Sequence, residues 1–136
     1  MKKGDIIYDP DVKFDDGGHV DKLFVILSDP HPSGYVYTVL ATSSGQAKDR
    51  DCQPSRMSFF IPAGKEFPKD TWLDLRRKPL CLPTEVLQER INSSACRVMG
   101  TLREDRVNAV RNCIDRHCSD WMSRHYCDLL GIQYKG

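Results

Sequence analysis

"GGHVDKLFVILSD" (residues 17–29) sets two glycines and three ionisable side chains directly against an unbroken apolar run. The run "KLFVILS" (22–28) reads as a strand that ends at Asp29-Pro30, and "GYVYTVLAT" (34–42) follows it after the turn "HPSG". With "DIIY" (5–8) ahead of them, these segments form the start of an antiparallel meander. A long polar loop over 41–56 separates them from two more strands, "MSFFIPA" (57–63) and "TWLDLRR" (71–77). In the second of these, Trp72, Asp74 and Arg76 alternate with Leu73 and Leu75, the period of a half-buried strand.

Beyond Pro83 the rhythm changes. "PTEVLQERI" (83–91) has good helix formers but also a short strand-like centre at Val86 and Leu87, and either element fits it. After Gly100, Thr101 and Glu104 match the S/T-x-x-E capping box. Leu102, Val107, Val110, Ile114, Cys118 and Trp121 then recur at amphipathic-helix spacing. Ser119-Asp120 offers a cap for a second helix running to Gly131, with Trp121, Met122, Tyr126 and Leu129 or Leu130 on its buried face. The expectation is therefore mainly β with C-terminal α, in one domain over 1–136. Residues 1–100 would form a small antiparallel barrel with loops, and 101–131 a helical segment. Phe24, Ile26, Val39 and Val110 are expected in the core.

A chain of 136 residues can bury roughly 65 to 70% of its unfolded surface, so no staple is required. Its 20 Lys and Arg against 19 Asp and Glu exclude a protein-wide basic field, and an anionic ligand must be met by a local patch. "GDIIYDPDVKFDD" (4–16) puts acids and a proline where an export signal needs an apolar segment, and no apolar run is long enough to span a bilayer. Export and membrane insertion are not expected. The six cysteines then read as reduced thiols, and the location as cytoplasmic.

Three clusters carry candidate chemistry. Lys22 stands at the mouth of its strand, where a cation can hold a phosphate, and Gly17-Gly18 lets backbone approach a ligand closely. The bland alternative is a solubilising lysine on a hairpin connection. His19 can transfer protons near neutral pH. In "VLATSSG" (39–45), Thr42, Ser43 and Ser44 gather hydroxyls and backbone N–H groups suited to phosphate oxygens, or simply to a turn. The start of one meander strand lies beside the end of the next, so Lys22 and Thr42 are expected as neighbours. The third cluster is Cys113, His117, Cys118, His125 and Cys127. Cys113 and His117 share a helix face, but without a C-x-x-C pair or four converging ligands no metal site is expected. "LRRK" (75–78) reads as a solvated strand end.

The order of these pieces resembles the MazF/PemK-like toxins of bacterial toxin–antitoxin systems. The residues that carry the resemblance are Gly4-Asp5-Ile6-Ile7, a Gly-rich loop followed by "KLFVILS", then "VLATSSG" and "MGTLREDRVNAV" (99–110), together spanning roughly 3–115. It implies a small SH3-like barrel of the MazF/CcdB kind, a homodimer, a cognate antitoxin as partner and single-stranded RNA as substrate. Family members generally carry Arg-Pro before the second strand and a threonine at the end of the third, which fall here on Lys22 and Thr42. Lysine keeps the charge but lacks the planar fork of arginine. Some relatives use an acidic residue before a short helix, for which Glu89 is the nearest match, and a first-loop histidine, for which His19 is. The activity implied is endoribonucleolytic cleavage without metal or other cofactor. A base removes the 2′-OH proton, the oxygen attacks the adjacent phosphorus, and an acid protonates the departing 5′-oxygen. Lys22 and Thr42 would stabilise charge on the phosphoryl oxygens, with Gly17, Gly18, Ser43 and Ser44 binding substrate. The competing expectations are a non-catalytic SH3-like barrel binding protein or RNA, and a metal-stabilised tail that serves as an interaction surface.

Overall fold

The computed structural model describes residues 1–13, 19–45, 47–75 and 80–135, without the side chains of 12, 13, 19–21, 80 and 121. Eight strands are seen: β1 (Asp5–Lys13), β2 (His19–Ile26), β3 (Tyr35–Thr42), β4 (Cys52–Gln53), β5 (Ser58–Ile61), β6 (Thr71–Asp74), β7 (Leu80–Pro83) and β8 (Arg97–Thr101). Three helices accompany them: α1 (Thr84–Asn92), α2 (Glu104–His117) and α3 (Arg124–Leu130). The strands run antiparallel in the order β4-β5-β6-β3-β2-β1-β8, and β7 also pairs with β3. β3 is the hub: β2 lies on one side, while β6 meets Ala41 and Thr42 and β7 meets Tyr35 to Thr38 on the other.

The apolar run of β2 is unbroken because both of its faces are covered. Val25 and Leu27 join Tyr37, Val39, Ala41, Phe59, Ile61 and Leu73 in a core closed by Val107, Val110 and Ile114 of α2 and Leu129 and Leu130 of α3. Phe24 and Ile26 point the other way and join Ile7 and Val36 under Leu87 of α1. Phe24, Ile26, Val39 and Val110 are all buried as expected, though they belong to two clusters rather than one.

The sheet is mainly antiparallel β, as read from the sequence, but it is not closed into a barrel. Among the described residues β4 and β8, at its two ends, do not pair with each other. α2 and α3 pack into the face that a barrel would fill by folding the sheet onto itself. Other boundaries also differ from the sequence expectation. "PTEVLQERI" resolves as helix α1, and "MGT" belongs to β8 rather than to a helix start. Thr101 does not cap α2, because its hydroxyl donates to Asp5 Oδ1 at 3.0 Å. The N–H of Arg103 is instead met by Glu66 Oε2 at 2.9 Å, a partner 37 residues away.

The tail holds two helices, joined by a single 3₁₀ turn at Ser119–Trp121. The cap of α3 is Ser123, whose hydroxyl accepts from Tyr126 N, and not Ser119-Asp120. Ser123→Ala is expected to lower stability by about 1 kcal/mol in a urea titration. A change below the error of the fit would mean that packing alone holds α3.

Cys52 of β4 and Cys113 of α2 form a disulfide, with Cα atoms 5.7 Å apart and a sequence separation of 61. This corrects the expectation of six free thiols. β4 and α2 are brought together by the core itself, so the two sulfurs meet although no local spacing announces them. Cys81, Cys96, Cys118 and Cys127 are free thiols. Burial pushes the Cys96, Cys118 and Cys127 thiols above their ordinary pKa, which keeps them protonated and unreactive. No helix among the described residues is long and apolar enough to cross a membrane.

Candidate functional site

The site is a row of residues that crosses the sheet on the α1 side. Asp9 of β1 stands opposite Lys22 of β2. The last β2–β3 pair is Leu23 with Ala41, and continuing that register by one residue sets Lys22 across from Thr42. Thr42 in turn stands opposite Trp72, and Trp72 opposite Phe60. Directly opposed residues in antiparallel strands share a face, with Cβ atoms about 4.5 to 5.5 Å apart.

The ionic partners in this row are already chosen. Arg90 of α1 reaches the nearly buried Asp9, Nη2 to Oδ1 at 2.9 Å, and the backbone N–H of Asp11 donates to the same oxygen. Lys22 lies beside this pair, half-buried, and makes no ion pair with a described residue. Its ammonium is thus available to an incoming anion, and its own environment already has a neutralised carboxylate. The Thr42 hydroxyl accepts from Ser44 N at 3.1 Å, which leaves its proton free to be donated elsewhere.

Next to Thr42 the same face opens into a cleft of about 380 Å³, whose lining includes Ser44, Arg56, Ser58, Trp72 and Asp74. Its rim is tightly held. Trp72 Nε1 donates to the carbonyl of Ala47 at 2.8 Å, and Gln53 Nε2 donates to the same carbonyl at 2.7 Å and to that of Arg50 at 3.0 Å. Ser58 Oγ donates to Gln53 Oε1 at 2.8 Å, and the Cys52–Cys113 bond anchors the adjoining residue. The loop can lie this close only because residue 45 is glycine: a Cβ there would stand 2.0 Å from the Trp72 ring. Gly45→Ala is expected to cost about 1 to 3 kcal/mol in stability, because moving the buried indole aside strains its N–H bond to Ala47. An unchanged urea midpoint would show that the loop lifts away freely.

The remaining sequence candidates are placed as follows. Ser43 and Ser44 are exposed beyond the end of β3, and Ser44 lines the cleft. His19 opens β2 opposite Lys13, about 10 Å along the strand from Lys22 at the usual rise per residue. Its side chain lies outside the described residues, as do Gly17 and Gly18 altogether. Glu89 is exposed on the outer side of α1, whereas the next residue, Arg90, turns inward to Asp9. Cys113 is bonded to Cys52 and so does not combine with His117 as a ligand pair. Among the described residues no group of three or more His, Cys, Asp or Glu is arranged to hold a metal ion.

Sequence reasoning missed Asp9, Arg90, Arg56 and Asp74. The alternation in "TWLD" was a usable signal, since it puts Trp72 and Asp74 on one face. Arg56 lay within a segment that read as featureless loop. Compared with known protein families, curated proteins and solved structures, the chain matches none. Its chemistry lies in the row itself: an ammonium with no ion pair among the described residues, and, at the same end of the β2–β3 pair, a hydroxyl that accepts from Ser44 N. Those two donors suit two oxygens of one phosphodiester.

Proposed function

We propose that the protein is a metal-independent endoribonuclease that cleaves single-stranded RNA, a toxin-like enzyme of the MazF/PemK kind that stops growth by cutting mRNA. The observation that supports this is the adjacency of Lys22 and Thr42 beside a polar cleft. Lys22 and Thr42 donate to the phosphoryl oxygens and stabilise the charge that grows there as the 2′-oxygen attacks phosphorus. His19, on the same strand, is assigned to proton transfer. The 2′-OH loses its proton to a base, the bond from phosphorus to the 5′-oxygen breaks, and that oxygen gains a proton, leaving a 2′,3′-cyclic phosphate and a 5′-OH. Glu89, on the far side of α1, has no part in this scheme.

On this proposal the sheet is an opened relative of the SH3-like barrel, with α2 and α3 occupying the interior. The partners are RNA, a second copy of the chain and a cognate antitoxin. The exposed Val98 and Met99 of the edge strand β8 give one apolar surface for such contacts. Sedimentation as a 15.6 kDa monomer at micromolar concentration would count against the homodimer. The place of action is the cytoplasm, where mRNA is available. Cytosolic disulfides tend to be transient, so the assay is run with and without a dithiol reductant. Purified protein should cut a mixed RNA in EDTA and leave 5′-OH ends. Binding without cleavage in both redox states would replace the enzyme with an RNA-binding module.

A further inference from the structure

We infer that Arg90 of α1 is a second phosphate-binding cation of the site, which takes the RNA phosphate next to the one held at Lys22 and Thr42. This rests on the proposal that Lys22 and Thr42 hold an RNA phosphate. It adds to that proposal a residue from outside the sheet and a direction for the RNA backbone, across the strands from Thr42 towards α1.

Strand register and helix packing place Arg90 there. Asp9 of β1 is the partner of Lys22, and continuing the β2–β3 register by one residue sets Lys22 across from Thr42. Asp9, Lys22 and Thr42 thus follow one another across three strands on one face. α1 lies over the same face, because its Leu87 joins Ile7, Phe24 and Ile26 in one buried cluster. Three residues on from Leu87, Arg90 is on the same side of the helix and meets Asp9, Nη2 to Oδ1 at 2.9 Å. The Arg90 carbonyl accepts from Cys96 N at 3.0 Å, which ties the end of α1 to the chain entering β8.

An ion pair of this kind can be wholly structural, but its two members are not equally occupied. The Asp9 carboxylate is nearly buried, and its Oδ1 accepts from Arg90 Nη2 and from Asp11 N. Arg90 has donors to spare. A guanidinium carries five N–H groups, and the bond to Asp9 is the only one that this guanidinium makes with a described residue. Its side chain is 35% exposed, against 8% for Asp9. Arg90 is thus oriented by a buried carboxylate and keeps donors for an anion at the α1 end of the row. A planar cation already fixed in place loses little freedom when that anion arrives. The spacing decides which phosphate it takes. Neighbouring strands lie about 4.8 Å apart, so Asp9 and Thr42 are separated by roughly 10 Å across the row. That is wider than one phosphate, whose oxygens Lys22 and Thr42 already meet. Arg90 therefore takes the neighbouring phosphate, on the far side of Lys22 from Thr42.

The test uses a 2′-O-methyl hexanucleotide, which has no 2′-OH and so is bound without being cut. Its affinity is measured by fluorescence anisotropy over a salt series, where each phosphate contact on a single strand contributes about −0.7 to the slope. Asp9→Asn/Arg90→Gln removes the ion pair with no change in net charge and leaves two amides to bond in its place. It should make the slope shallower by about 0.7, as Lys22→Ala does, and the three changes together by about 1.4. An unchanged slope would show that Arg90 serves Asp9 alone, and a triple variant that loses only about 0.7 would place both cations on one phosphate. Either result overturns the inference. A second measurement needs no variant. In wild type, the bound hexanucleotide should protect Arg90 from phenylglyoxal, read by peptide mass mapping, and leave the exposed Arg103 ahead of α2 reactive. Equal modification of Arg90 with and without the oligonucleotide overturns the inference as well. The matching ribo-oligonucleotide separates this outcome from that of the enzyme. The expected slopes and protection without cleavage remove the nuclease and leave Arg90 as an RNA contact, whereas no binding by wild type removes both.

Discussion

On the proposed function, Lys22→Ala should lower single-turnover RNA cleavage by about 10²- to 10³-fold, the usual cost of removing one donor from a site that stabilises a developing oxyanion. Thr42→Ala should fall in the same range. RNA binding should fall much less, because one phosphate contact on a single strand contributes a salt slope of only about −0.7. The geometry explains why the loss is confined to chemistry. Asp9 retains Arg90 and the Asp11 N–H when Lys22 is truncated, so no buried carboxylate is orphaned. Thermal stability should stay within about 0.5 kcal/mol of wild type. Lys22→Arg should preserve or raise the rate, since a planar fork can grip two phosphoryl oxygens at once. Lys22→Ala protein that cleaves like wild type would show that the site is misplaced.

The largest stability effect is expected at the Cys52–Cys113 bond. The bond closes a loop of 61 residues, and in the chain-entropy account such a cross-link stabilises the fold by about 4 kcal/mol by restricting the unfolded chain. For a domain of this size that corresponds to a drop of roughly 10 to 15 °C in melting temperature on reduction, or in Cys52→Ser/Cys113→Ser. Wild type without reductant should titrate four thiols per chain in denaturant, those of Cys81, Cys96, Cys118 and Cys127. Six thiols, or a melting curve indifferent to reductant, would refute both the bond and its effect.

The parts of this fold that were legible in sequence are those fixed by local pattern. "KLFVILS" and "GYVYTVLAT" declared themselves through apolar content and bounding turns, and Val107 to Ile114 through helical spacing. The adjacency of Lys22 and Thr42 followed from meander geometry alone. What stayed hidden was set by partners far away in the chain. Thr101 has the side chain and spacing of a helix cap, yet Asp5, 96 residues distant, takes its hydroxyl. Arg90 looks like any exposed helix residue until Asp9 is placed beneath it. Arg56 sits in polar loop sequence, and only the folding of β4 and β5 against β6 turns that loop into the wall of a cleft. The disulfide belongs to the same class. Its cysteines share no motif and meet because a core brings β4 to α2.

The position of β3 sets how the molecule opens from moment to moment. Its backbone is shared among β2, β6 and β7, both of its faces are buried, and even its neighbour Leu27 returns an N–H to Tyr37. β7 covers one edge of β3 at Tyr35 to Thr38 and β6 covers it at Ala41 and Thr42, while β2 lies along the other edge, so neither side of the strand is a free edge. In deuterium, the β3 amides should therefore exchange only through global unfolding, while those of the short edge strand β4 and of β8 exchange through local fraying at much lower protection. Thr42 stands at the end of β3, so on the proposed function its hydroxyl would keep its position while the edges of the sheet fray.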